Sequence, residues 1–113
     1  MERKTDYRDL SRVFRALSVD SRVRIVQLLA ERTLCVGALS NLLGISAGAV
    51  SQHLRILKDA GLVESDRRGY FIHYRLAPGA AKCCQVAMFS LFGPRRGDKR
   101  CAAEGRSTRG RKN

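Results

Sequence analysis

Two adjacent cysteines, Cys83 and Cys84, stand in a segment with the residue spacing of a helix, and the chain has four cysteines in all. Neighbouring thiolates supply two soft ligands without any long-range folding, and soft metal ions favour thiolate sulfur. Thiols also serve as redox switches, and a buried cysteine often acts as a small core residue. The pair alone therefore leaves three interpretations open: soft-ion binding, redox or persulfide sensing, and packing.

The charge of the chain favours a polyanionic partner. Its 113 residues suit one small domain, and they carry a net charge of +12 with a pI near 10.6. The last 20 residues hold eight basic and two acidic residues, which is half of the net charge. We therefore expect a folded domain over 1–93 and a flexible basic tail over 94–113, which either adds non-specific DNA affinity or is only solvated.

Hydrophobic periodicity predicts the elements that carry these residues. Apolar residues at helical spacing predict four helices before Gly61, and Asp20 and Ser46 are the expected caps of the second and the fourth. A β-favouring stretch then predicts a hairpin, and a last helix is expected to run from Pro78 to about Phe92. The predicted fold is mainly α, in the order α-α-α-α-β-β-α: a dimeric winged helix-turn-helix.

The fourth helix is the candidate recognition helix, because one side of it is apolar and its N-terminal end is polar. The N-terminal part of such a helix enters the major groove of DNA. Arginines at the tip of the hairpin suit phosphate or minor-groove contacts. The alternative is an ordinary solvated helix face beside a charged turn. The predicted DNA contacts are Ser46, Ala47, Gly48, Ser51, Gln52, His53 and Arg55 on the helix, and Arg67 and Arg68 on the hairpin.

The segment from Leu17 to Leu76 resembles the winged helix of the ArsR/SmtB family of metal-sensing repressors. The resemblance rests on AVSQHLRILKDAGLV, followed by an Arg-Gly wing and YRL. It implies a homodimer built from the first and last helices, bound to operator DNA with imperfect dyad symmetry and released by an inducer. Ala47 and Gly48 are small where relatives are often polar, which shifts the expected DNA recognition toward Ser51, Gln52, the wing and DNA shape.

The resemblance also guides the interpretation of the thiols. Family members often carry Cys-Val-Cys on the third helix, but here Gly37 follows Cys35 and Val36. Between 78 and 92 there is no Asp, Glu or His for the family's zinc site. Some arsenical sensors of the family resemble the arrangement of Cys83, Cys84 and Cys101. That resemblance implies As(III) or Sb(III) as the inducer, held by three thiolates, with Cys101 from the same or the partner chain.

Several alternatives and exclusions complete the predictions. The same fold would serve a redox- or persulfide-responsive repressor, a sensor of a soft divalent ion such as Cd or Pb, or a constitutive DNA-binding protein. We expect that the protein is not an enzyme, because the sequence shows no nucleophile–base–acid set and no Gly-rich phosphate-binding loop. We also expect no organic cofactor, no membrane association and a cytoplasmic location. Lys82, Arg95 and Arg96 are expected to help lower the pKa of the nearby thiols.

Overall fold

The computed structural model describes residues 7–94, which form five helices and three strands. The helices are α1 (Tyr7–Ala16), α2 (Asp20–Glu31), α3 (Val36–Leu43), α4 (Ala47–Asp59) and α5 (Ala80–Phe92); the strands are β1 (Leu34–Cys35), β2 (Val63–Arg68) and β3 (Phe71–Leu76). The predicted winged helix-turn-helix order is confirmed, with β1 as an addition. Cys101 and the predicted tail beyond residue 94 lie outside the described residues.

The turn between α3 and α4 has the predicted length, and local chemistry fixes it. Gly44 ends α3 with φ +71°, a left-handed conformation that glycine adopts without strain. The Ser40 hydroxyl donates to the carbonyl oxygen of Ile45 at 2.6 Å. Ser46 begins α4 as predicted, since its Oγ accepts a hydrogen bond from the backbone N–H of Ala49 at 3.1 Å.

The core lies where α2, α3 and α4 meet the sheet. Val50, Leu54 and Leu57 of α4 are buried as predicted, and Ile25 of α2 and Leu39 of α3 pack in the same cluster. The buried side of α4 therefore anchors the helix, and its opposite side is left exposed to solvent. Leu42 was expected to face inward, but its side chain is 44% exposed, so the apolar stripe of α3 is narrower than predicted.

The hairpin is part of a three-stranded antiparallel sheet in the order β1-β3-β2. Arg68 pairs with Phe71, so Gly69 and Tyr70 form a two-residue turn in which Gly69 has φ +64°. Arg67 and Arg68, expected at the tip, are instead the last two residues of β2. Of the predicted tip residues only Gly69 stays in the turn, and Tyr70 joins it, because the strands pair up to Arg68 and Phe71.

Two further differences concern elements that the sequence placed less exactly. Leu34 and Cys35 were expected in the third helix but form β1, where Leu34 pairs with Tyr74 and Cys35 with His73. Asp20 was expected to cap α2, but Val19 holds the cap position and Asp20 begins the helix. A carboxylate in the first turn still favours the helix through the macrodipole.

Candidate DNA-binding surface and thiol site

The N-terminal end of α4 presents a polar surface to solvent. Ser51, Gln52 and Arg55 are exposed, and their side chains form no hydrogen bond or ion pair with other residues of the 7–94 segment. Ser46, Ala47 and Gly48 precede them and are exposed as well. A Cβ at Gly48 would meet only the Oγ of Ser46, at 3.9 Å, so the backbone here is open to close approach. Six of the seven predicted α4 contacts therefore share one accessible surface.

His53 is the predicted α4 contact with a different environment. It is partly buried, and its Nδ1 is enclosed without a hydrogen-bond partner in the described structure. Burial, with the nearby positive charge of Arg22 on α2, lowers the pKa of His53. Arg22 itself donates to the carbonyl oxygen of Ala16 at 3.4 Å. The structure therefore separates His53 from the exposed polar surface and associates it with the contact between α2 and α4.

The wing is the hairpin of β2 and β3. Two of its arginines contact acidic residues, and one faces solvent. Arg75 contacts Glu64 at 2.6 Å and Asp66 at 3.5 Å, and Arg68 contacts Asp66 at 3.1 Å. The hydrogen bond from Arg68, with the nearby charge of Arg75, lowers the pKa of Asp66. Arg67 is exposed and makes no such contact within residues 7–94. Of the two predicted wing contacts, Arg67 is thus the one with an uncommitted charge.

Sequence reasoning missed the residues that hold the wing together. Lys58, in the last turn of α4, donates from Nζ to the Ser65 hydroxyl at 3.0 Å and ties β2 to the recognition helix. Arg75 faces Glu64 across the β2–β3 pair. The strand register would have shown the Arg75–Glu64 pair, but no local signal in the sequence indicates the Lys58–Ser65 contact.

The adjacent cysteines lie on α5 in unequal environments. Cys83 is exposed, whereas Cys84 is partly buried and packs against the core cluster. Burial, and secondarily the neighbouring Cys83 thiol, raises the pKa of Cys84, so the expected lowering by Lys82 is wrong for this thiol. The segment from 7 to 94 contains no group of three ligand side chains placed to hold a metal ion. Two of the three predicted thiols are thus placed together, and Cys101 is outside the described residues.

Beside Cys84, the exposed side of α5 forms an open apolar groove of about 490 Å³. Met88, Phe89 and Phe92 line it, and Phe89 and Phe92 are 67% and 74% exposed. Aromatic side chains of this size bury large areas when they are covered. The cysteine pair therefore adjoins an uncovered apolar surface.

No helix in the described part of the chain is long and apolar enough to cross a bilayer.

Comparison with known proteins identifies the DNA-binding segment. Residues 20–65 match the model of the bacterial regulatory protein family arsR. The cadmium resistance regulatory protein CadC homolog of Staphylococcus aureus is 39% identical over 69 residues, 60% of this chain and 57% of that protein. The arsenic resistance regulator ArsR1 of Pseudomonas putida is 40% identical over 67 residues, which are 58% of this chain and 52% of that protein. The chain thus spans about half the length of these relatives.

Solved structures extend the similarity to most of the chain. An ArsR-like transcriptional regulator from Rhodococcus is 30% identical with a TM-score of 0.69, and the match covers 75% of this chain and 80% of that one. A homodimeric winged helix-turn-helix DNA-binding domain from Mycobacterium bovis is 29% identical with a TM-score of 0.66, covering 80% and 90%. The names of both proteins describe a regulator or a DNA-binding domain rather than an enzyme. The chain belongs to the ArsR family of bacterial regulatory proteins.

Proposed function

We propose that this protein is a transcriptional repressor that binds operator DNA as a homodimer and is released by a thiophilic inducer. The observation that carries the DNA-binding role is the exposed end of α4, where Ser51, Gln52 and Arg55 have no partner within residues 7–94. Polar side chains that are held by a buried helix face but remain unpaired are free to contact base edges and phosphates. The same proposal includes a cytoplasmic location, where the DNA of a bacterial cell lies.

The chemistry of α4 suits the major groove. The amide of Gln52 offers both a donor and an acceptor, the pattern that reads adenine, and Ser51 and Arg55 suit phosphate or base contacts. Small side chains at Ala47 and Gly48 allow the helix N-terminus to approach the backbone phosphates, which its dipole attracts. Arg67 extends the same positive surface onto the wing, and the net charge of +12 adds affinity that weakens with salt.

The proposed homodimer is supported by apolar surface that one chain leaves uncovered. Seven large apolar side chains on the first and last helices are exposed by two fifths or more: Tyr7, Phe14, Val86, Met88, Phe89, Leu91 and Phe92. Large apolar side chains that stay uncovered in such number mark an interaction site. The similar domain from Mycobacterium bovis is homodimeric. We therefore assign α1 and α5 to a two-fold dimer interface, which matches two recognition helices to an operator with imperfect dyad symmetry.

A matched pair of glutamines tests the DNA-binding surface. The wild-type protein is used to select a duplex from a random-sequence library, and this selected duplex then reports binding by fluorescence anisotropy. Gln52→Ala should weaken binding by about 1–3 kcal/mol, the value of a good base contact. Gln27→Ala, which removes an exposed glutamine from α2, should leave binding unchanged. Equal affinities of the two variants, or failure to select any duplex, would contradict the assignment.

The inducer site is the second part of the proposal. Cys83 and Cys84 supply two thiolates on α5, and we assign Cys101, from the same or the partner chain, as the third ligand of As(III) or Sb(III). Similar proteins are named for arsenic and for cadmium resistance, so Cd and Pb remain competing inducers. Because α5 also carries the proposed dimer surface, a bound ion would change the spacing of the recognition helices. A coupling of about 1–3 kcal/mol suffices to lower operator occupancy many-fold.

Direct binding of arsenite distinguishes this site from one that would use Cys35, the third thiol of the described structure. Titration under anaerobic conditions, followed by near-ultraviolet thiolate absorbance, should saturate at one equivalent per chain. Cys83→Ser and Cys101→Ser should each abolish tight binding. Cys35 is half-buried on β1, and Cys35→Ser should leave arsenite binding intact. If Cys35→Ser abolished binding and Cys83→Ser did not, the site would lie elsewhere. Release from DNA by a persulfide donor, with no stoichiometric ion, would support the redox alternative.

A further inference from the structure

The tip of the wing carries an aromatic side chain that nothing in the described structure covers. Tyr70 occupies the second position of the two-residue turn between β2 and β3, directly after Gly69. Its side chain is 97% exposed, the highest value among the large apolar residues of the described segment. Phe71, the next residue in the chain, is 62% exposed, but its ring lies edge-on to that of His73, with 6.5 Å between the ring centroids. Tyr70 is therefore the aromatic ring of the wing that is free to contact a partner.

The charges around this ring favour a polyanion as the partner. Arg68 and Arg75 are engaged with Asp66 and Glu64, which neutralises the acidic residues of β2. Arg67 has no such partner within residues 7–94, so it leaves one uncompensated positive charge close to the tip. An exposed aromatic ring and an unpaired guanidinium on one hairpin are a combination that nucleic-acid-binding surfaces use.

The wing is also anchored to the C-terminal end of the recognition helix. The backbone N–H of Leu62 donates to the carbonyl oxygen of Leu57, and Lys58 contacts Ser65, so β2 starts from the end of α4. From Val63 to Arg68 the strand rises about 3.3 Å per residue, or about 17 Å in all. The turn with Tyr70 therefore projects well beyond the end of α4 at which β2 begins, so the wing can contact DNA separately from the helix.

We propose that Tyr70 is a DNA-contacting residue that inserts its ring into the minor groove beside the α4 site and partly unstacks one base step. This inference rests on the proposed DNA-binding function and adds a specificity-determining residue to it. Arg67 provides the phosphate or groove-wall contact next to the ring. Pyrimidine–purine steps unstack most easily, so the contacted position favours TA or CA steps although no base edge is read there.

Stacking and charge contacts differ in their response to salt, which gives the inference a distinctive signature. Phosphate contacts release counterions, so their loss reduces the dependence of affinity on salt. A ring that contacts sugars and bases releases no counterions, so its loss leaves the salt dependence unchanged. Tyr70→Ala should therefore lower affinity by the same factor, about tenfold, at every salt concentration. Arg67→Ala should instead lower the slope of log affinity against log salt by about one.

Duplexes labelled with 2-aminopurine test the unstacking itself. The probe is the library-selected duplex with 2-aminopurine placed in turn at each position, and the full-length protein is added at saturation. Wild type and Tyr70→Phe should raise the fluorescence at one position per half-site, because the ring and not the hydroxyl inserts. Tyr70→Ala and Tyr70→Lys should lose that signal. Tyr70→Lys should retain affinity at low salt, because it replaces stacking by charge. The exposure of Tyr70 makes all three variants compatible with folding.

The outcomes separate this inference from the function on which it rests. Loss of the fluorescence signal and a salt-independent loss of affinity in Tyr70→Ala would support it. Wild-type DNA binding with no position-specific signal, or a Tyr70→Ala variant that keeps the signal, would overturn the role of Tyr70 and leave the repressor function standing. A Tyr70→Ala variant that binds DNA with wild-type affinity would likewise overturn the role of Tyr70 and leave the repressor function standing. Failure of the wild type to bind any duplex would overturn both.

Discussion

At the scale of single residues, Cys83 and Cys84 show how neighbours in sequence acquire different chemistry. Consecutive residues of a helix point about 100° apart, so one thiol faces solvent and the other packs against the core. Burial raises the pKa of Cys84 because the thiolate loses hydration, and the adjacent thiol adds to the shift. The proposed ion must therefore compete with a proton at Cys84, and its affinity should rise with pH.

Thiol alkylation provides a test of this asymmetry. In wild type, Cys84 should react with iodoacetamide more slowly than Cys83 at pH 7, and its rate should keep rising above the usual thiol pKa. Cys83→Ser should lower the pKa of Cys84 and speed its alkylation at a given pH, because a neighbouring thiolate no longer opposes ionisation. Mass spectrometry of the α5 peptide measures the alkylation rate of each thiol in wild type and of Cys84 in Cys83→Ser. Equal rates and pH profiles for the two thiols would contradict their different burial.

His53 gives a second prediction at this scale, with a defined pH direction. Its pKa is lowered in the folded protein by burial and by Arg22, so the unfolded chain binds more protons. The contribution to stability is present above pH 6.5, the ordinary histidine value, and is lost as the pH falls below it. His53→Gln should therefore reduce the fall in Tm between pH 7 and pH 5, measured by thermal circular dichroism. A variant whose Tm follows pH as steeply as wild type would show that His53 does not carry this dependence.

At the scale of elements, α4 separates stability from recognition. The Oγ of Ser46 caps the helix, whereas Ser51 is exposed and has no partner within residues 7–94. Ser46→Ala should cost about 1 kcal/mol of unfolding free energy in urea denaturation. Ser51→Ala should leave stability within about 0.5 kcal/mol and weaken binding to the selected duplex. A larger loss of stability from Ser51→Ala than from Ser46→Ala would mean that the two serines have been assigned the wrong roles.

The elements also show which features the sequence could predict. The turn from Gly44 to Ser46 depends on local signals, a left-handed glycine and a serine cap, and both are readable from residue types. The two-residue strand β1 carries no such signal, because it exists only through pairing of Leu34 with Tyr74, far along the chain. The exact tip of the wing likewise depends on register, which placed Tyr70 in the turn instead of Arg67 and Arg68.

The candidate site follows the same division. The exposed polar end of α4 was predictable, because helical periodicity fixes which residues face away from Val50, Leu54 and Leu57. The partial burial of His53 and the raised pKa of Cys84 were not, because both depend on contacts between different elements. The pairing of Arg68 with Asp66 was missed as well, since a hairpin register is needed to identify it.

At the scale of the whole molecule, the proposed dimer explains why so much of α5 is apolar and exposed. Phe89→Asp should convert a dimer into a monomer, because it would bury an unpaired charge at the assigned interface. Phe71→Asp is a matched control: that phenylalanine is 62% exposed, against 67% for Phe89, but lies on the wing. Sedimentation equilibrium measures the mass of each variant. A dimer that persists in Phe89→Asp, or is lost in Phe71→Asp, would place the interface elsewhere.

The central claim, that DNA binding and thiol chemistry are coupled in one repressor, is tested most directly by inducer-dependent release from DNA. Anisotropy of the selected duplex bound to wild type is followed under anaerobic conditions as arsenite, antimonite, cadmium, lead, zinc or a persulfide donor is added. The Cys83→Ser, Cys84→Ser double variant is the comparison. We predict release of wild type by arsenite or antimonite at one equivalent per chain, and no release of the variant. Equal release of both proteins, or release of neither by any of these compounds, would contradict the account.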